Sequence, residues 1–296
     1  MGEFNLDKYF AEKAEFVNSA LGRLLAGEDE YPQGLHSAMH YSLFAGGKRI
    51  RPVLTLAAAE AVGGDIEGAL NTASAIECIH TYSLIHDDLP AIDDDDFRRG
   101  RPTCHKVYGE AMAILAGDAL LTSAFEMIGK TPGVAAERLL MVILDVARAA
   151  GSMGMIGGQV VDIESEGKEV DFPVLEYIHI HKTGGLILAS VRCGAILGGA
   201  DEKELEALTG YGGSVGLAFQ ILDDILDVEG SSTEMGKATG SDVKLGKATY
   251  PAVLGLEESR RRARELVTRA LDSISAFDDR AEPLRALAGY IISRKK

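Results

Sequence analysis

The sequence predicts an all-α fold, a single-domain helical bundle. Ala, Leu and Glu abound, and these are strong helix formers. Aromatic residues make up only 6% of the chain and Trp is absent. No Asn-Gly or Asp-Gly pair, the usual two-residue hairpin signal, occurs. A hydrophobic share of 46% over 296 residues is ample for a core of that size. No linker splits the chain, so residues 1–296 are taken as one domain.

Residues 3–27 carry Phe10, Ala14, Val17, Leu21, Leu24 and Leu25 at helical spacing, which predicts a packing helix. Gly27 and Pro32 bracket a turn, and a second helix is expected over 32–45. Gly46 and Gly47 end it, and Pro52 stands near the start of the next. Between them Lys48, Arg49 and Arg51 crowd a helix N-terminus, where free backbone N–H groups favour an anion. Ordinary surface charge is the alternative for such a loop. Residues 66–88 form a long helix bearing His80, Tyr82 and Ser83. A lone helical His is more often a satisfied core residue than a ligand.

That helix delivers HDDLPAIDDDDFRRGRPTCHK, from His86 to Lys106. Asp87, Asp88, Asp93, Asp94, Asp95 and Asp96 are followed by Arg98, Arg99 and Arg101, and Pro90 ends or distorts the helix between Asp87 and Asp93. Two carboxylates about 6 Å apart repel by about 0.7 kcal/mol in water and about 3 kcal/mol at an effective dielectric of 20. A cation is therefore expected among them. Mg²⁺ suits the oxygen ligands, because it takes one or two carboxylates and leaves positions for water and phosphate. The arginines match an anion through their planar donor fork. A solvated acidic helix end is the alternative reading.

A second cluster tips that balance. Phe219 to Asp227 reads FQILDDILD, placing Asp223, Asp224 and Asp227 in an apolar helical run expected over 202–228. Residues four apart share a face, so Asp223 and Asp227 project together. Unpaired buried carboxylates are costly. Two such clusters in one chain point to a shared metal site.

The rest of the chain is helical with interruptions. From Val107 to Gly151 two packed helices are expected, broken at Thr131-Pro132-Gly133, and a small-residue stretch then leads to Asp162. His181 to Gly185 interrupts a helical run as a kink. The segment from Gly184 to Ala200 is read as the most apolar long one, yet it contains Arg192 and falls short of a membrane span. SSTEMGKATGSDVKLGKATYP, with Lys237 and Lys247, is glycine-rich and turn-like. Residues 250–294 return to amphipathic helix as an outer wall.

A net charge of −15 argues against a nucleic-acid surface, while a few local cations still suffice for a small anion. Cys78, Cys104 and Cys193 lack ligand spacing and fit free thiols in a reducing cytoplasm. The N-terminus lacks a signal-peptide pattern and the C-terminal SRKK is no prenylation box. A cytoplasmic protein without membrane insertion is expected.

DDLPAID and DDILD, with GGKRIRP before them and a GK...GK segment after, resemble the short-chain trans-prenyltransferases, the bacterial farnesyl diphosphate synthase branch in particular. The likeness runs roughly from Tyr31 to Pro251. It implies that Lys48, Arg51, His80 and Arg99 contact isopentenyl diphosphate, and that Arg98 and Lys182 contact an allylic diphosphate. It further implies that Asp87 and Asp93, with Asp88 beside them, and Asp223, Asp224 and Asp227 gather three Mg²⁺ ions, with Mn²⁺ as a substitute. Thr183 and Gln220 would offer oxygen dipoles to a developing carbocation. Lys237 and Lys247 would lie on a flap that reaches diphosphate and excludes water. A homodimer is implied as well.

Tyr82 and Ser83 stand five and four residues before Asp87, about 6 to 7.5 Å along the helix axis. In the resembling family an aromatic there accompanies a C15 limit, so farnesyl diphosphate from dimethylallyl and geranyl diphosphates is expected. A core Tyr with its hydroxyl satisfied is the alternative. A geranylgeranyl diphosphate synthase would share almost every motif. A terpene cyclase needs no second diphosphate site and usually lines its cavity with aromatics, and a non-catalytic partner subunit tends to lose acid-motif residues that are intact here.

Overall fold

The computed structural model describes residues 4–229 and 247–293. Helices α1 (Leu6–Leu24), α2 (Gln33–Leu43), α3 (Ile50–Ala61) and α4 (Glu67–Asp87) come first. Asn5 starts α1 by accepting a hydrogen bond from the Lys8 amide at 2.9 Å, so the helix is shorter than the 3–27 expected. After the acid stretch come α5 (Cys104–Tyr108), α6 (Glu110–Gly129), α7 (Ala136–Ala150), α8 (Met155–Ser165) and α9 (Phe172–Ile178). A π-helical turn (His179–Gly184) leads into α10 (Gly185–Gly198), and α11 (Glu202–Glu229) carries the second acid cluster. The chain closes with α12 (Tyr250–Leu254), α13 (Leu256–Ser273), a 3₁₀ turn (Asp279–Ala281) and α14 (Glu282–Ser293).

α4 is buried almost all round, as its lack of a polar face requires. It packs on α6, α3 and α10, while α10 in turn packs on α3, α11 and α7. One apolar cluster joins α1, α2, α4, α6 and α7, and the other joins α3, α10, α11, α13 and α14. Close approach of α3 and α10 depends on Gly194, where an added Cβ would stand 2.0 Å from the Thr55 carbonyl oxygen.

Three features depart from the expectations. Phe97–Arg98 and Arg101–Pro102 form a short antiparallel ladder, turned by Arg99 (φ 53°) and Gly100 (φ 74°). Left-handed residues at both central positions suit a tight hairpin, and here Arg takes the place usually held by Asn or Asp. The outer wall is segmented, because Gly255 (φ 80°) separates α12 from α13. Finally, Gly184 to Ala200 is not the leading apolar stretch, since Glu110–Gly129 and Ala136–Ser165 are both long and apolar enough by composition to cross a membrane. Much of their surface is uncovered in the isolated chain, including Ile114, Leu115, Leu140, Met141 and Leu144.

Candidate active site

A cavity of about 1000 Å³ opens at the C-terminal ends of α4 and α11. α4 lends His80, Tyr82, Ser83 and Asp87; α11 lends Phe219, Gln220 and Asp223. The loop and first turn from Ala45 to Arg51 form the basic end, the π turn supplies Lys182 and Thr183, and α8 adds an apolar wall with Ile156, Val160 and Ile163. Asp87 and Asp223 thus share one hollow.

Each acid pair is divided by the rotation of its helix. Asp87 lines the cavity, and its pKa is pushed up to about 6, first by burial and then by the charge of Asp93, against the pull of Lys182, Arg98 and Lys247. Asp88, only 3% exposed, faces the interior and accepts both carboxylate hydrogen bonds from Arg98 Nε, at 2.7 and 2.9 Å. On α11 Asp223 is exposed towards the cavity, whereas Asp224 is buried. Asp224 accepts hydrogen bonds from Gln220 Nε2 at 2.9 Å and from the Tyr250 amide at 2.8 Å. Neither Asp88 nor Asp224 lines the cavity.

The loop after α4 returns Asp93 to its side, its amide donating to the Asp87 carbonyl at 2.9 Å. Its carboxylate meets Lys247 Nζ at 2.9 Å. Asp227 has a buried Oδ2 with no hydrogen-bond partner among the described residues. A desolvated Asp87 and an orphaned carboxylate oxygen both fit a site built for a hard divalent cation. Asp94 and Asp96 are exposed, and Asp96 pairs with Lys106 at 2.6 Å.

The π turn displays Lys182 and Thr183 to the cavity, and such one-turn bulges are frequent at functional sites. It begins two residues before the expected kink. Lys182 Nζ donates to the buried Asp162 at 2.6 Å, a partner the sequence marked only by position. Thr183 Oγ1 donates to Gln220 Oε1 at 2.7 Å, so a relay runs from the Tyr250 amide through Asp224 and Gln220 to the Thr183 hydroxyl. α8 sits directly on this turn, since a Cβ at Gly158 would lie 2.3 Å from the Lys182 backbone nitrogen.

At the basic end the three expected cations part company. Lys48, which lines the cavity, donates through Nζ to the Tyr290 hydroxyl at 2.7 Å. Arg51 is half-buried in the cavity lining, and its Nε is buried with no partner among the described residues. Arg49 turns away, donating to Asn18, to Glu77 at 2.8 Å and to the Leu43 carbonyl. It is therefore a structural cation, not an anion ligand. Arg99 reaches back to the Gly46 carbonyl, and Ser83 donates to the His80 carbonyl at 2.9 Å. Lys237 lies outside the described residues.

Glu77, one turn before His80 and 2% exposed, is the counter-charge under this cluster. Its signal in the sequence was a carboxylate in an apolar helix. Arg49→Leu would leave Glu77 buried without its partner, a change that costs about 3–5 kcal/mol. The thermal midpoint is expected to drop by roughly 10 °C, and calorimetry showing a shift below about 2 °C would contradict the pairing.

Two imidazoles here stay neutral. Burial, with Arg51, Arg99, Arg98 and Arg49 adding to it, holds His80 well below the ordinary imidazole range. Burial likewise lowers His179 to about 3, although its Nε2 stands 3.4 Å from Asp224 Oδ2; that contact joins a neutral ring to a carboxylate. The unfolded chain protonates both histidines as pH falls through about 6.5 while the native one does not, which removes stability. Asp87 acts oppositely, since the native protein binds its proton at about pH 6 and the unfolded chain only near 3.8. The balance is a net loss on acidification of about 1.4 kcal/mol per pH unit per net proton. Urea titrations in chelator at pH 7.5, 6.5 and 5.5 should show it, and constant or rising stability would refute it.

This site sits in a chain with many relatives. Residues 32–285 match the polyprenyl synthetase family, and the chain belongs to that family. It is 51% identical over 293 residues to a dimethylallyltranstransferase of Fischerella ambigua (strain UTEX 1903), covering 98% of this chain and 84% of the relative. It is 48% identical to a geranylgeranyl diphosphate synthase of Cyanophora paradoxa, covering 98% and 97%. Among solved structures, a putative farnesyl-diphosphate synthase from Marinomonas sp. MED121 superposes with a TM-score of 0.84 at 42% identity, covering 98% of this chain and 100% of that one. The protein is a short-chain trans-prenyltransferase with the helical fold of those enzymes.

Proposed function

We propose that this enzyme condenses isopentenyl diphosphate with dimethylallyl and then geranyl diphosphate and releases farnesyl diphosphate. The observation that carries the reading is a single hollow shared by Asp87, Asp223 and the cationic loop from Lys48 to Arg51, with Tyr82 in its lining. Asp87, Asp93, Asp223 and Asp227 would hold the divalent cations, three Mg²⁺ by family likeness with Mn²⁺ able to substitute, while Asp88 and Asp224 brace Arg98 and Gln220 from behind. Bound there, the cations would neutralise the diphosphate as it becomes a leaving group.

The chain's own groups account for the rest. Arg98, Lys182 and Lys247 hold the allylic diphosphate, joined by Lys237, while Lys48, Arg51, neutral His80 and Arg99 hold that of isopentenyl diphosphate. The C1–O bond breaks with its electron pair leaving on diphosphate, and Thr183 and Gln220 face the allylic cation with oxygen dipoles. The isopentenyl double bond then attacks C1. Loss of a proton to the released diphosphate gives an allylic product five carbons longer. Ile156, Val160 and Ile163 line the wall for the tail, and a hydrocarbon wall there keeps water from the cation.

Geranylgeranyl diphosphate synthesis is the second reading, favoured by the likeness to the Cyanophora enzyme. Labelled isopentenyl diphosphate with each allylic starter, followed by product sizing, separates them. C15 as the main product supports the first, and accumulation of C20 replaces it with the second. No product from the isolated chain would point to a partner-dependent subunit, and turnover without isopentenyl diphosphate to a cyclase.

The uncovered apolar faces of α6 and α7 support a homodimer, because a contiguous exposed patch of this kind marks an interface. Light scattering is expected to give twice the chain mass. Three free, buried cysteines support a cytoplasmic location.

A further inference from the structure

We propose that Gln159 is a further catalytic residue, whose side-chain amide oxygen meets the positive charge that ionisation creates on the allylic carbons. The inference rests on the prenyl-transfer reading of the same cavity. Gln159 lies on α8 and lines the hollow together with Lys182, Thr183 and Gln220. Its Nε2 and Oε1 are both buried, and neither has a hydrogen-bond partner among the described residues. Leaving buried polar atoms unsatisfied costs about 1–3 kcal/mol for each group. An amide held in that condition on a cavity wall calls for an occupant of the cavity.

The other two dipoles are already engaged. Thr183 donates to Gln220 Oε1, and Gln220 Nε2 donates to Asp224. Gln159 is the uncommitted member of the three. Its backbone cannot retreat, because the neighbouring Gly158 sits against Lys182 too closely to admit a Cβ. On the same helix Ile156, Val160 and Ile163 line the adjoining wall, so Gln159 is the polar residue at the edge of the apolar tail surface.

The chemistry of the occupant follows from what it can offer. A neutral prenyl chain has neither donor nor acceptor and leaves the amide unsatisfied in the ground state. Once the C1–O bond has broken, the electron pair resides on diphosphate and the carbon fragment carries a positive charge that an amide oxygen attracts. The interaction therefore strengthens only as the reaction proceeds, which is the condition for lowering the barrier instead of merely tightening binding.

The test compares wild type with Gln159→Leu, which keeps the bulk and removes the dipole, and with Gln159→Met as an unbranched control for packing. Turnover and analogue binding are both measured. The expected result is a kcat lower by roughly 10- to 100-fold in both variants, with each KM within about twofold of wild type. An ammonium diphosphate that mimics the cation should bind more weakly by the same factor. A neutral thio-linked analogue of the allylic diphosphate should bind as before. A kcat within about threefold of wild type, or equal weakening of both analogues, overturns the proposal and leaves Gln159 a packing residue. Wild type that forms no prenyl product would overturn the underlying reading as well, and so the two failures are told apart.

Discussion

Asp87→Asn and Asp223→Asn are each expected to lower kcat/KM by about 10³-fold, a barrier increase of about 4 kcal/mol. Asn keeps the outline of the side chain and removes the charge that would hold a cation against diphosphate. For Asp87 the loss of activity should come with a gain in stability. Its carboxylate is desolvated enough to titrate at about 6, so in the ligand-free protein at pH 7.5 its ionisation opposes folding by on the order of 3 kcal/mol. The thermal midpoint of ligand-free Asp87→Asn is expected to rise while turnover collapses, the pattern of a residue kept for function at the expense of the fold. Asp223 is exposed, and no such gain is expected there. Retention of more than a tenth of wild-type kcat/KM at saturating Mg²⁺ by either variant would place the cation elsewhere.

Tyr82→Ala is expected to shift the product from C15 to C20 and longer. Tyr82 is 5% exposed, lines the cavity and meets His86 edge to ring at 5.7 Å. Its hydroxyl has no partner among the described residues, which removes the simplest structural reason for a tyrosine at this position. Truncating a buried aromatic costs about 3–5 kcal/mol, so product sizing should be run well below the variant's midpoint, checked by circular dichroism. A folded, active Tyr82→Ala that still stops at C15 would put the floor of the cavity somewhere else. Tyr82→Phe, which removes only the unpaired hydroxyl, is expected to leave product length unchanged.

Much of this site was legible because its residues stand out chemically from their neighbours. Carboxylates in apolar helical text marked both acid clusters, and the structure places Asp87 and Asp223 in the lining of one cavity. What the sequence did not convey was direction. Adjacent helical residues point about 100° apart, and that angle alone separates Asp87 from Asp88 and Asp223 from Asp224. The same ambiguity grouped Arg49 with Lys48 and Arg51, although Arg49 has a left-handed backbone (φ 53°) and turns to Glu77. The hairpin at Arg99-Gly100 was invisible because it uses an uncommon residue for its turn. Gln159 was missed for another reason, since an uncharged amide in a small-residue segment has no pattern until its surroundings are known.

The return of the chain at Lys247 to Tyr250 ties the two acidic motifs together within four residues: the first contacts Asp93 and the last, through its amide, Asp224. On the proposed function, a divalent ion held by Asp93 would meet an ammonium group already paired with that carboxylate. Loading would then exchange one positive charge for another and would free the lysine for the incoming pyrophosphate. Tyr250 is anchored to the carboxylate that orients Gln220, so this short clasp spans both motifs.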